Sequence, residues 1–199
     1  MSAAPARDVR VRVVVVVVVG LAVGSLTSFG QGHLDGALDA FVNSASAWLV
    51  APFVIGMWMT TRRGAAVAGM SVCSLQLVGY YATAHLRGFS AGGAIVAFWA
   101  ACAVVGGPVF GVGGRLSRGA GRLRALGAAV LPAAFVAEGL WVYVHELHYY
   151  ATAALWIGIG AALAVVMLRG RRELRWLVVA LVVGLAAELL LSQIYRQSF

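Results

Sequence analysis

Polar and apolar residues along this chain alternate in long blocks rather than at the short periods of a soluble fold. Apolar stretches run from Val11 to Phe29, Asn43 to Thr60, Gly64 to His85, Ala91 to Gly113, Ala125 to Tyr143, Tyr150 to Leu168 and Arg175 to Ser192. Most approach the ~20 residues that carry a helix across a bilayer core. Lipid offers backbone amides no partner, so each stretch is expected to be helical, the Val-rich first one included, since unpaired amides cost more than poor helix propensity. The pattern predicts an all-α, polytopic transmembrane bundle of about seven spans, a single integral membrane domain over residues 1–199.

Composition supports this. The 199 residues are 62% hydrophobic and 11% charged, with a mean hydropathy of +0.91, more apolar than a soluble domain of this size accommodates. The net charge of +8 is carried by Arg alone. Because these Arg sit in short clusters between spans and not along one polar face, nucleic acid is not the expected partner; the lipid bilayer is.

The Arg also set an orientation. Thirteen of the fifteen fall before the first span or in the second, fourth and sixth gaps, and only Arg87 and Arg196 fall on the other side. Short loops rich in Arg stay cytoplasmic, so the N-terminus is expected inside and the C-terminus outside. Arg7, Arg10 and Arg12 before Val13–Val19 resemble the start of a signal peptide, but no A-x-A site follows and the apolar run continues to Phe29. An uncleaved first helix is expected.

Within the spans, Pro52, Pro108 and Pro132 each remove a backbone donor. Gly20 with Gly24 and Gly107 with Gly111 have the spacing that lets helices approach closely. The run Gly106–Gly114 lacks the Lys and the strand-then-helix setting of a phosphate loop, and reads as a bent helix end. Cys73 and Cys102 form no CxxC pair and read as small core residues. The six Trp are expected to anchor at the interfaces.

The chemistry-bearing residues gather toward the outer side. His33, His85, His145 and His148 all fall there, with Asp35, Asp39 and Glu146. Gln31, Asn43, Gln76 and Tyr80 lie in the outer ends or middles of spans, as an outward-facing polar cavity would require. Glu138 and Glu188 each stand 13 residues beyond the start of a span, at Ala125 and Arg175, hence at one depth. A lone carboxylate there costs at least ~2.5 kcal/mol. At least one is expected to be protonated or hydrogen-bonded, either in a structural contact or lining a solute or proton path. Ligand-binding candidates are therefore Glu138, Glu188, Gln76, Tyr80, Asn43, Gln31 and His85. His145 and His148 share a helix face and, with His33 or His85, are candidate metal ligands; no other cofactor is expected, and no catalytic residue stands out.

The strings Leu26–Leu34, Asn43–Trp48, Gly79-Tyr80-Tyr81 and Gly107–Gly111 resemble a small actinobacterial multi-pass membrane family of unknown function. The resemblance implies a bacterial cytoplasmic (inner) membrane location and carries no substrate. Size and an outward polar end are also similar to the substrate-binding subunits of vitamin uptake systems, although seven spans and an outer C-terminus differ from them. Three functions fit: binding or transport of a small solute, a membrane enzyme with an outer His/acid or metal site, and a non-catalytic subunit that docks a membrane protein partner. The first uses most of the polar residues.

Overall fold

A computed structural model describes the backbone of residues 4–198, and the side chains of residues 9–36 and 38–197. Its elements are helical: α1 (Ala4–Gly30), α2 (Ala37–Val42), α3 (Ala45–Trp58), α4 (Arg62–Leu86), α5 (Gly93–Ser117), α6 (Gly121–Glu138), α7 (Tyr150–Met167) and α8 (Leu174–Ser198). A π-helical segment, Gly139–Glu146, prolongs α6, and one 3₁₀ turn, Arg171–Glu173, precedes α8. Among the described residues, six helices are long and apolar enough to cross a membrane.

The expected second span is the exception. Residues 43–60 do not form one helix: α2 ends at Asn43, the chain is extended at Ser44, and α3 begins at Ala45. At ~1.5 Å per residue the 14 residues of α3 reach about 21 Å, short of a ~30 Å hydrocarbon core. The local cause is side-chain competition with the backbone. Asn43 turns its amide back onto Asp39 O at 3.0 Å and Asp39 Oδ1 at 3.1 Å, while Ser44 Oγ accepts the Ala47 amide at 3.1 Å as an N-cap.

α1, α4, α6 and α8 run one way and α3, α5 and α7 the other. Gly20 and Gly24 of α1 face Leu75 and Gln76 of α4 in parallel; Gly139 and Gly160 join α6 and α7 in antiparallel. This direction places the Arg clusters at one end of the bundle and His33, His85, His145, His148, Arg87 and Arg196 at the other. Arg7 belongs to α1, but its side chain lies outside the described ones.

The glycine run 106–114 lies in the second half of α5, around Pro108. A Cβ on Gly111 would strike Ala65 O of α4, and one on Gly114 would strike Phe53 O of α3. Absent side chains let three backbones meet there, which is what lipid-embedded helices use in place of hydrophobic association.

The core sits around α6. Phe53, Leu131, Phe135, Tyr143, Ala153 and Trp156 form one buried cluster, and Val16, Ile55, Ala68 and Val72 a second between α1, α3 and α4. No described residue of α8 is buried; that helix rests mainly on α6, and its Tyr195 ring also meets Phe98 of α5.

Candidate functional site around a helix break

The break between α2 and α3 is where the polar residues meet. A helix begins with amides that have no intrahelical acceptor, and α3 begins inside the protein, away from water. Glu138, the last residue of α6, supplies the acceptor. Its Oε2 takes Ser46 N at 2.8 Å and Ser44 Oγ at 2.8 Å, and its Oε1 takes Ala45 N at 3.1 Å. The carboxyl oxygens thus stand where a preceding helical turn would have placed its carbonyls. Glu138 is only 3% exposed.

A second layer holds Ser44 in place. Trp156 of α7 donates its indole N–H to Ser44 Oγ at 3.1 Å, and Tyr143, on the π segment, donates to Ala40 O of α2 at 3.3 Å. The wider π turns follow directly after Glu138, as such insertions often do at functional positions. Trp156 is wholly buried and is therefore no interfacial anchor. Trp141, half-buried, donates to Ser192 Oγ of α8 at 2.9 Å.

From the other side come α1 and α4. Gln31 donates to Asn43 Oδ1 and accepts from the Tyr80 hydroxyl; the Tyr80 ring stands edge-on to Trp48, with centroids 5.8 Å apart. Arg87 fixes the end of α1 by donating to Ser28 O and to Gln31 O. Gln76, 0% exposed, donates to Trp48 O at 3.2 Å. Its carbonyl oxygen Oε1 is buried without a partner. An orphaned buried acceptor costs ~1–3 kcal/mol, so this one is an unmet demand beside the break.

Of the seven ligand-binding candidates, Glu138, Gln76, Tyr80, Asn43 and Gln31 thus converge on residues 43–48. His85 stands apart, exposed in the last turn of α4. Glu188 also stands apart, half-buried on α8. The polar groups expected to line an outward cavity are bonded to one another and to backbone.

The His candidates for metal are dispersed as well. His33 stacks on Phe29 and its Nδ1 lies 2.8 Å from Phe29 O. His145 packs edge-on to Trp141, and His148 sits in the left-handed region with its ring against Tyr150. Among the described residues no three His, Cys, Asp or Glu side chains gather as a metal site.

Sequence reasoning missed Ser44 as a helix start and Trp156 and Tyr143 as its supports. The N-cap signature, Ser44 just before the apolar run Ala45–Trp58, was the available signal. The two aromatics gave none, because their partners lie 112 and 103 residues away.

Six apolar spans around a buried, self-capped helix break define a multi-pass helical membrane protein. The chain matches the family of unknown function DUF6518 over residues 3–197 and belongs to it. No curated protein and no solved structure is detectably similar to it.

Proposed function

We propose that the protein binds or transports a small solute, that it does so in the bacterial cytoplasmic membrane with its N-terminus inside, and that the α2–α3 break is its site. One observation carries this reading: the first amides of α3 lie within the protein, held by Glu138. Irregular backbone at membrane depth is tolerated only where protein buries it or a cavity reaches it, and carriers place such half-helix N-termini at their binding sites. Gln76 Oε1 supports it, being a buried acceptor that a solute N–H or O–H would satisfy. In this view the arrangement described above is the closed state, and separation of α2 and α3 from α6 opens the site toward the His-bearing end.

The test is a thermal-shift screen of the purified full chain against small solutes, followed by uptake into proteoliposomes. A ligand that binds the folded state raises its stability. The expected solute stabilises the wild type and loses its effect in Gln76→Leu and Glu138→Gln. Binding or uptake that survives both substitutions unchanged overturns the reading.

A second reading, a subunit docking another membrane protein, is favoured by α8. Among the described residues this helix buries none, and its Glu188 carboxyl has no hydrogen-bond or ion-pair partner among them. A partner helix bringing a donor would satisfy that group. Site-specific cross-linking from Val182 and Leu190, both exposed on α8, to a second membrane protein in native membranes distinguishes this role from that of a solitary carrier.

A further inference from the structure

At the Arg-rich end, a cavity of about 270 Å³ opens where three helices finish or begin. Thr60 comes from the turn between α3 and α4, Arg62 from the first turn of α4, Arg115 from the last turn of α5, and Ala120, Leu123 and Arg124 from the start of α6. Two of its guanidinium groups are fixed before any ligand arrives. Arg115 Nε donates to Thr60 O at 3.1 Å. Arg124, 6% exposed, donates to Glu173 Oε2 at 2.6 Å and to Met167 O at 2.5 Å. Such pre-organisation spares a ligand the entropy of ordering long side chains.

The electrostatics leave one sign unmatched. Three guanidinium groups border the cavity, and Glu173, bonded to Arg124, is the carboxylate that balances one of them. Two positive charges remain. The first turn of α6 opens onto the same space with no acidic residue, and Ala120 at its N-cap offers no side-chain acceptor, so its free amides add to the demand for an anion. Arg124 Nε is buried without a partner, so the guanidinium charge of this residue is met on two of its three nitrogens only. The neighbouring cavity lined by Arg122, Arg175 and Trp176 has less to offer, since Arg175 lies over the Trp176 ring.

We propose that this cavity binds a phosphate group. Its tetrahedral oxyanion suits planar guanidinium forks and a helix N-terminus together. The group comes either from the headgroup of an anionic phospholipid, as basic pockets between transmembrane helices hold, or from free phosphate. The inference does not depend on the carrier reading, because the cavity lies at the end opposite His33 and His145.

The test uses the full chain, purified in a mild detergent, with native mass spectrometry and thermal unfolding as readouts. Phosphatidylglycerol, inorganic phosphate and, as control, phosphatidylcholine are added separately. One phosphatidylglycerol per chain, with no effect of inorganic phosphate, identifies a headgroup site; stabilisation by inorganic phosphate identifies a free-phosphate site. In either case Arg62→Gln and Arg115→Gln should each weaken binding about tenfold, the loss of one charge-assisted hydrogen bond. Arg118→Gln, an exposed Arg of the same end that does not border the cavity, should bind as the wild type does. Arg62 is exposed, so its variant folds even if the Arg115 variant does not. Binding of neither phosphate source, or equal binding by wild type and Arg62→Gln, overturns the proposal.

Discussion

Glu138 and Glu188 stand at one height on parallel helices. Gly184 packs on Ala137 and Ser192 bonds Trp141, which puts Glu188 level with the end of α6. Their surroundings are nevertheless opposite. Glu138 is enclosed and takes three hydrogen bonds from a helix start; Glu188 is half-buried on a helix that packs along one side, with no hydrogen-bond or ion-pair partner among the described residues. The comparison teaches that depth alone does not say what an intramembrane carboxylate does. A group that completes its own fold can be paired entirely by backbone and hydroxyl donors, whereas Glu188 holds no other element of the described chain in place.

Substitutions can break or sharpen this contrast. The largest effect is expected from Glu138→Ala, which strands Ala45 N, Ser46 N and the Ser44 hydroxyl inside the protein. At ~1–3 kcal/mol for each unmet buried group, the loss should reach about 4 kcal/mol and show as poor recovery of folded protein and a much lower unfolding temperature in detergent. Ser44→Ala comes next, at about 2 kcal/mol, because it removes the N-cap of α3 and leaves the Trp156 indole N–H without an acceptor. Trp156→Phe, which removes the indole donor and leaves a small void where the pyrrole ring stood, should cost about 1–2 kcal/mol. Smallest is Glu188→Gln, expected to lie within ~0.5 kcal/mol of wild type in the purified chain. A Glu188→Gln variant as damaged as Glu138→Ala would erase the distinction between the two carboxylates.

Much of the fold was legible because lipid allows few alternatives. Six of the seven expected stretches correspond to helices long enough to cross, and the Arg clusters of 62–63, 115–124 and 169–175 do gather at one end. The break was hidden in plain hydropathy. Asn43, Ser44 and Ser46 look like the polar margin of a span, and a helix that starts within the bundle has the same apolar sequence as one that starts at its edge. The site was legible residue by residue but not as an assembly. Glu138, Gln76, Tyr80, Asn43 and Gln31 stood out as polar groups in apolar surroundings, yet that they share the segment 43–48 depends on pairings between distant helices. Trp156 was misjudged because an indole at a helix end and one locked into a core share one local sequence signal.

The glycine contacts of α5 bear on how this molecule moves. With α3, α4 and α5 meeting backbone to backbone at Gly56, Gly69, Gly111 and Gly114, sliding one against another would drive main chain into main chain. α1 rests on the same assembly through Gly20, Gly24 and Gly79. On the other side α7 and α8 each lie against α6. α6 is interlocked with α5 in the same way, since a Cβ on Gly127 would strike Gly113 O and Ser117 N, and at its other end the carboxylate of Glu138 ties α6 to the start of α3. Displacing α6 from α3 would therefore have to break the bonds from Ser44, Ala45 and Ser46 at one end and force main chain into main chain at the other.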